Sequence, residues 1–300
     1  MDWLTRVNAQ VRTDVPMRER TSYRIGGTAD AWVVPESLDA LREVLSRGNA
    51  DCIPIRVVGG GTNLLVSDRG LRGIVVTLGK GFDQIRLLSR TACGGLVYAG
   101  AGAQVGDLLR RAAEADLGGA EFLAGVPGTV GGALILNSGT SSEFIGDVVE
   151  AVEVVDGEGR FWLVAGREIG FGYRRTAYPV VGAIVGASIR FRSRPRKDVL
   201  DDIRRRVRAR RQTQPLSQPS AGSVFKNPAG ESAGRLIEEA GLKGYRVGDA
   251  EVSPVHANFI VNRGQATAQD VEQLVQEIQR RIGNELELEI HRVGGADDEA

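Results

Sequence analysis

Residues 57–68 read Val57-Val58-Gly59-Gly60-Gly61-Thr62-Asn63-Leu64-Leu65-Val66-Ser67-Asp68. Here three glycines and two polar side chains follow a short β-branched run. A turn of this kind presents backbone N–H groups to an anion, and a pyrophosphate is the ligand it suits. No Gly-Lys-Ser/Thr follows, so it is not a Walker A loop, and it lacks the Gly-x-Gly-x-x-Gly spacing of the usual dinucleotide fold. A glycine-rich hairpin without a ligand is the structural alternative.

A second glycine-rich stretch favours the ligand. It reads Phe122-Leu123-Ala124-Gly125-Val126-Pro127-Gly128-Thr129-Val130-Gly131-Gly132-Ala133 and continues to Asn137-Ser138-Gly139. Glycine makes up 40 of the 300 residues, which is about twice its average share. A single structural loop does not explain both stretches. Two backbone-rich surfaces predict a large flat cofactor that lies along the main chain.

Composition excludes several classes of protein. The 38 basic and 38 acidic side chains cancel, and 42% of residues are hydrophobic, so we expect a soluble globular protein with no nucleic-acid partner. Cys52 and Cys93 are too few for a disulfide framework, which predicts a cytoplasmic location. His256 and His291 have no partner at metal-ligand spacing, so we expect no metal. A signal peptide and a long apolar run are both missing from the sequence, so we expect no membrane insertion.

Periodicity predicts an α+β chain. Runs rich in Val and Ile predict strands at residues 31–34, 53–58, 73–78, 96–99, 148–155, 160–164, 183–191, 258–261 and 286–290. Amphipathic patterns predict helices at 37–45, 105–115, 198–212, 232–240 and 267–282.

The pattern changes near residue 195, where strands give way to helices. We therefore predict one domain over 1–195 and a smaller one over 196–294, followed by a disordered acidic tail at 295–300. The first domain has a candidate subdivision into about 1–80 and 81–195. We expect a monomer or a weak homo-oligomer.

Seven motifs occur along the chain in a familiar order. They are Thr21-Ser22-Tyr23-Arg24-Ile25-Gly26-Gly27, the triple glycine at 59–61, the run 124–132, Phe171-Gly172-Tyr173-Arg174, Gly222-Ser223-Val224-Phe225-Lys226-Asn227-Pro228, Ala257-Asn258-Phe259-Ile260-Val261-Asn262 and Leu286-Glu287-Leu288-Glu289. This set resembles the MurB reductases. The resemblance implies an FAD-binding domain of the vanillyl-alcohol-oxidase (PCMH) type, followed by a smaller C-terminal α+β substrate domain.

The family's reaction has two halves. By resemblance, NADPH reduces FAD, and flavin N5 then delivers hydride to the enolpyruvyl ether of a UDP-amino sugar while a protein acid protonates the adjacent carbon. The expected product is the lactyl ether of UDP-N-acetylmuramic acid. Because the N-terminal half has no histidine that could tether a flavin, we expect FAD to be held non-covalently.

Two of the residues that carry over from the family lie in the C-terminal half. Ser223 matches the proton donor, and a well-placed hydroxyl can protonate the strongly basic carbon that hydride addition leaves. Glu289 matches the acidic residue that assists at the enolic intermediate, and Glu287 would share its strand face. A turn serine and a surface carboxylate are the structural alternatives.

A third carried-over residue is an arginine. Arg174 matches the side chain that holds the substrate carboxylate and stabilises the negative charge that accumulates. Arg175 competes for this role, but Arg174 directly follows Tyr173, as in the family's Tyr-Arg pair. A solvated strand arginine is the alternative.

Binding residues follow from the same motifs. The cofactor contacts implied are Gly59, Gly60, Gly61, Thr62, Asn63, Leu64, Gly125, Pro127, Gly128, Thr129, Gly132, Asn137, Gly139 and Arg210. Those implied for the substrate are Tyr173, Lys226 and Asn227, the last two at the UDP part or NADPH. For Arg210 the alternative is the solvated face of the charge run at 204–211.

The chain also departs from the family pattern. Residues 138–142 differ from the usual Asn-Ala-Gly-Ala continuation, which leaves their flavin contacts open, and Val255 stands where a basic residue is expected. The short segment after Arg174 resembles the compact type II form. Two other functions stay open on sequence grounds, namely another FAD-dependent alcohol or sugar oxidase on the same scaffold and a non-catalytic nucleotide-binding protein.

Overall fold

The computed structural model describes residues 1–283 and 286–295. In these residues the helices are α1 Leu38–Ala50, α2 Val105–Glu114, α3 Val130–Ile135, α4 Arg196–Thr213, α5 Ala233–Glu239 and α6 Ala268–Ile282. The strands are β1 Ala9–Pro16, β2 Thr28–Pro35, β3 Ile55–Val57, β4 Leu64–Val66, β5 Leu71–Val76, β6 Ile85–Thr91, β7 Gly94–Gly100, β8 Leu117–Gly118, β9 Val149–Asp156, β10 Phe161–Ala165, β11 Gly170–Gly172, β12 Arg175–Ala177, β13 Gly182–Ser193, β14 Ser220–Ser223, β15 Arg246–Val247, β16 Ala250–Val252, β17 Phe259–Asn262 and β18 His291–Val293.

A six-stranded sheet runs in the order β10-β9-β13-β7-β6, with β8 also paired to β13. Its central strands alternate buried apolar residues, such as Val152, Val154 and Ile189, against the apolar faces of α2 and α3. Leu108 of α2 and Leu134 of α3 are fully buried in this core. Burial of such side chains stabilises the fold by about 1.5–3 kcal/mol each.

Smaller sheets complete the fold. One has the order β1-β2-β5-β3 and another the order β14-β17-β16-β15. Strand β3 pairs with β5 in parallel, with Ile55 opposite Ile74, and β4 pairs with β18 in parallel, with Leu64 opposite His291. The β11-β12 hairpin stands apart as a two-stranded pair.

Contacts divide the chain into two compact units. The first comprises Met1–Arg12, Trp32–Gly59 and Gly73–Ala209, and the second comprises Thr13–Ala31, Gly60–Arg72 and Arg210–Ala300. The second unit therefore builds its core from three separate segments, which supply Tyr23, Leu65, Phe225, Ile260 and Leu274 among others. The domain bounds predicted from the sequence stay a prediction.

The predicted helices are all present, with ends shifted by up to five residues. The strand predicted at 286–290 was wrong. Leu288 makes only an isolated bridge with Phe225, and β18 begins at His291. The segment pairs with residues 224–226 through the Glu287 carbonyl and the Glu289 N–H, both at 2.8 Å, and this pairing is too short to make a ladder. The disordered tail was predicted at 295–300. Apart from Gly295, it lies outside the described residues.

Among the described residues, none of the helices has the length and apolar composition of a bilayer span.

Candidate functional site

The first unit brings the two glycine-rich stretches together at Gly59. A Cβ on Gly59 would stand 2.6 Å from Thr129 Oγ1, so a larger residue would force the segments apart. Thr129 is the N-cap of α3, where its Oγ1 accepts a hydrogen bond from the Gly132 N–H at 3.3 Å. Gly59 and Gly60 are exposed, and their N–H groups donate to no acceptor in the described part of the chain. This glycine surface fits a cofactor that packs on backbone and accepts hydrogen bonds from it.

The rest of the second stretch is a pair of glycine turns that lead into α3. Gly125 and Gly128 have φ of 78° and 100°, which only glycine adopts without strain. Gly128 also accepts a hydrogen bond from the Val105 N–H at 3.1 Å, which joins the turn to the start of α2. Gly125 and Pro127 are exposed, so this edge of the turn is open to a ligand.

Within the second unit, the triple-glycine loop continues into β4. Gly61 has a φ of 62° and lies against the main chain of Arg20, which leaves no room for a side chain. Thr62 is half-buried, and Leu64 is the first residue of β4. Asn63 Nδ2 donates to the Glu289 carbonyl at 2.9 Å. The Asn63 side chain, predicted as a cofactor contact, therefore also fixes the segment that carries Glu289.

Arg174 lies at the turn of the β11-β12 hairpin. Its φ is 54°, a strained value for a side-chain-bearing residue. Its Nη2 donates to the Gly139 carbonyl at 3.2 Å, and its guanidinium lies 5.0 Å from the centre of the Tyr173 ring. Arg175 belongs to β12 and is exposed. The structure thus joins Tyr173, Arg174 and Gly139 and leaves Arg175 outside this group.

Ser223 ends β14, opposite Phe259 of β17. The preceding Gly222 has a φ of 77°, and a Cβ built there would meet nothing within 4 Å, so the chain borders open space. Ser223 is half-buried. Within residues 1–283 and 286–295, its hydroxyl has no hydrogen-bond partner, so it can donate to a ligand.

The segment after Ser223 is held by Asn258. The buried Asn258 amide accepts from the Phe225 N–H at 2.9 Å and donates to the Phe225 carbonyl at 2.8 Å, as a neighbouring strand would. The Val224 N–H donates to the Asn258 carbonyl at 2.8 Å. On the other side, the Glu289 N–H donates to the Val224 carbonyl at 2.8 Å. Ser223 and Glu289 are therefore carried by adjacent, hydrogen-bonded segments.

Lys226 is paired with the alternative carboxylate. Its Nζ lies 2.5 Å from Glu287 Oε1, and the Lys226 side chain is 16% exposed against 74% for Glu287. Because Glu287 can turn into water at little cost, an anionic ligand can replace it at Lys226. Burial and the Lys226 charge hold the pKa of His291 below its usual value. The lowered pKa keeps His291 neutral at pH 7, so Lys226 is the member of this group that is suited to an anion.

The remaining predicted residues have local partners. Asn227 Oδ1 accepts from the Ala233 N–H at 3.0 Å, at the start of α5. Arg210 is half-buried in the last turn of α4. In the run before it, acidic side chains pair with Arg204, Arg205 and Arg206. His256 Nδ1 accepts from the Asn258 N–H at 3.2 Å, and burial, with the Lys243 charge, lowers its pKa. The His256 imidazole thus accepts a main-chain hydrogen bond in its neutral form.

Sequence reasoning missed the supporting role of two asparagines, one of which, Asn137, it had named only as a cofactor contact. Asn258 and Asn137 are both buried asparagines whose amides bind main-chain groups of distant segments. Asn258 lies in the motif at 257–262, and that motif was the sequence feature that could have identified it. Its double contact with Phe225, 33 residues away in sequence, depends on the tertiary fold.

Two family models match the chain. The model described as FAD binding domain matches residues 29–164. The model described as UDP-N-acetylenolpyruvoylglucosamine reductase, C-terminal domain, matches residues 214–293.

Full-length relatives are similar to the whole chain. The UDP-N-acetylenolpyruvoylglucosamine reductase of Desulfosudis oleivorans is 44% identical over 97% of both chains. That of Moorella thermoacetica is 43% identical over 95% of this chain and 94% of its own.

Solved structures are also similar to this chain. The crystal structure of UDP-N-acetylenolpyruvylglucosamine reductase (MurB) from Thermus caldophilus is 38% identical, with a TM-score of 0.82 over 95% of this chain and 99% of that one. Phl p 4, a grass pollen allergen with glucose dehydrogenase activity, is 16% identical with a TM-score of 0.50 over 65% of this chain and 44% of its own, a likeness of fold alone. The chain therefore belongs to the UDP-N-acetylenolpyruvoylglucosamine reductase (MurB) family of FAD-dependent oxidoreductases, with a PCMH-type FAD-binding domain and a C-terminal MurB domain.

Proposed function

We propose that the chain reduces UDP-N-acetylenolpyruvoylglucosamine to UDP-N-acetylmuramate with electrons from NADPH, for peptidoglycan precursor synthesis in the cytoplasm. Relatives of this name that are 43–44% identical over nearly the whole chain support the substrate. The observation that carries the chemistry is the Ser223 hydroxyl, half-buried and without a protein partner among the described residues. The exposed thiols of Cys52 and Cys93 suit a reducing compartment.

The residues present fit non-covalent FAD. Gly59, Thr129 and Gly132 form a glycine surface at the N-terminus of α3, and the exposed Gly59 N–H is available to an acceptor on the cofactor. When bound, FAD supplies the group that takes hydride from NADPH and returns it to the substrate. The contacts predicted at residues 60–64, at Gly125, Pro127, Gly128 and Gly139, and at Arg210 stay predictions.

Ser223 would donate the proton. Its strand is fixed by β17 on one side and by Asn258 immediately after it, so the main chain that carries the hydroxyl is held in place. The carbon that accepts the proton lies next to a carboxylate and is strongly basic once hydride has added to its neighbour. A preorganised hydroxyl can therefore act as the acid, although serine is a weak acid in water.

Arg174 would hold the substrate carboxylate. Its guanidinium is oriented by the Gly139 carbonyl and the Tyr173 ring, so little side-chain freedom remains to be lost when the carboxylate binds. It would also stabilise the negative charge that accumulates on that carboxylate. Glu289, whose main chain is fixed by Val224 and Asn63, would assist at the enolic intermediate. Lys226 and Asn227 would meet phosphate groups of the substrate or of NADPH.

Ser223→Ala tests the role of the acid. Only the second half-reaction needs a proton donor, so NADPH should still bleach the flavin at the wild-type rate. Reoxidation of the reduced flavin by the UDP-enolpyruvyl sugar should slow by about a hundredfold or more. Anaerobic stopped-flow absorbance measures both steps, with the exposed Ser217→Ala as control. Reoxidation at the wild-type rate in Ser223→Ala would remove Ser223 from the mechanism.

A further inference from the structure

Asn137 follows α3 and is only 3% exposed. Its φ is 42°, in the left-handed region that Asn tolerates better than most residues. Its side-chain Nδ2 donates to the Gly172 carbonyl at 3.0 Å, and its Oδ1 accepts from the Gly146 N–H at 2.9 Å. Both ends of this buried amide are thus bound to main-chain groups from two separate segments.

These bonds join three segments of the first unit. Gly139 and Phe144 form an antiparallel bridge, so segment 137–139 is paired with segment 144–146. The ring of Phe144 meets the ring of Tyr173 edge to face, with centroids 6.3 Å apart. A Cβ on Gly146 would lie 2.5 Å from the Phe171 ring, so that ring packs directly on the Gly146 main chain. Asn137 therefore lies at the junction of segments 137–139, 144–146 and 171–174.

Arg174 depends on this junction at both ends. Its main chain follows Gly172, whose carbonyl is held by the Asn137 amide, and its guanidinium donates to Gly139, two residues beyond Asn137. Arg174 also has a positive φ, a conformation that persists only where the surroundings enforce it. Without the Asn137 amide, the hairpin would keep the Thr176 Oγ1 bond to the Leu134 carbonyl but would lose the bond that fixes Gly172, two residues before Arg174. A displacement of about 1 Å at such a group can cost about a hundredfold in rate.

We propose that Asn137 is a positioning residue that acts through Arg174. This inference rests on the proposed function, in which Arg174 holds the substrate carboxylate. The cofactor contact expected for the Asn137 side chain from the family motif stays a separate prediction, since the amide keeps a second donor and a second acceptor position. The positioning role of Asn137 also gives Gly139, in the unusual segment 138–142, a role as the acceptor that orients Arg174.

A double-mutant cycle tests the proposal. Asn137→Asp keeps the shape and the tolerance of positive φ but cannot donate to Gly172. We expect it to slow substrate-driven flavin reoxidation by about tenfold to a hundredfold, with unchanged flavin content and unchanged bleaching by NADPH. In an Arg174→Ala background, adding Asn137→Asp should change the rate by less than about twofold, because the two residues act as one unit. The exposed Asn8→Asp is the control.

Asn137→Gly is the second variant, since glycine accepts the positive φ without strain and removes the amide, and it should follow the same pattern. If the two substitutions in either cycle slow reoxidation by the product of their separate factors, this inference is overturned while the proposed function stands. Loss of bound flavin on substitution of Asn137 would make it a cofactor contact and would also overturn the inference. Arg174→Ala with wild-type reoxidation would instead contradict the role of Arg174 in the proposed function, and this inference with it.

Discussion

At the scale of single residues, Tyr23 allows the energetic cost of a buried, unpaired hydroxyl to be measured. Its side chain is fully buried, and in the described part of the chain its hydroxyl has no hydrogen-bond partner, while burial raises its pKa. A buried, unsatisfied hydroxyl costs about 1–3 kcal/mol. Tyr23→Phe should therefore raise the free energy of unfolding by about 1 kcal/mol, measured by urea denaturation at pH 7.

Tyr98→Phe is the matched control. The Tyr98 hydroxyl donates to Glu153 at 3.0 Å, so its removal should lower the free energy of unfolding. A Tyr23→Phe variant less stable than the wild type would show that the hydroxyl of Tyr23 contributes a favourable interaction, contrary to its described surroundings.

The sequence indicated which residues to consider for the site, but not which contacts those residues make. The motifs indicated Ser223, Arg174 and Glu289, and their catalytic roles stay predictions. The sequence could not show that Glu287 pairs with Lys226, since the two lie 61 residues apart. Nor could it show that Asn137 is held on both sides, because hydrogen bonds between distant segments exist only after the chain has folded.

At the scale of secondary-structure elements, the β9-β10 hairpin predicts a pH dependence. The Asp156 carboxylate accepts from Trp162 Nε1 and Arg160 Nε, both at 2.8 Å, and from the N–H groups of Glu158 and Arg160, both at 2.9 Å. Burial opposes its charge, but these hydrogen bonds outweigh burial and hold the pKa of Asp156 below its usual value. Its stabilisation is present above the unfolded-state pKa of about 3.9 and declines as the pH falls toward the folded-state pKa.

Asp156→Asn should therefore destabilise the protein most at pH 7, and the difference from wild type should shrink at pH 3. Urea denaturation of both proteins at the two pH values measures this, with the exposed Asp83→Asn as control. A difference in unfolding free energy that is equal or larger at pH 3 would show that the carboxylate is not stabilised as its contacts indicate.

Elements with clear periodicity were predictable, and those with conflicting local signals were not. The apolar stripe of α6, with Val271, Leu274, Val275 and Ile278 buried, identified that helix from the sequence. Helix α3 was missed because Gly131 and Gly132 lie in its first turn, and glycine is a poor helix former. Tertiary contacts with β12 and β13 stabilise it instead.

At the scale of the whole molecule, the second unit contains contacts that local sequence patterns cannot predict. Its core draws on segments around residues 23, 65 and 225–290, which no local periodicity connects. A change in composition can indicate where a strand-rich sequence becomes helix-rich, as near residue 195. It cannot show that earlier segments pack with later ones.

The central claim is that electrons pass from NADPH through bound flavin to an enolpyruvyl UDP-sugar. The most direct measurement is an anaerobic titration of the purified protein, followed by its visible spectrum. NADPH should bleach the flavin, and UDP-N-acetylenolpyruvoylglucosamine should then restore the oxidised spectrum, with one UDP-N-acetylmuramate formed per flavin reoxidised. A reduced flavin that the UDP-sugar leaves bleached, and that only oxygen reoxidises, would contradict the account and favour an oxidase.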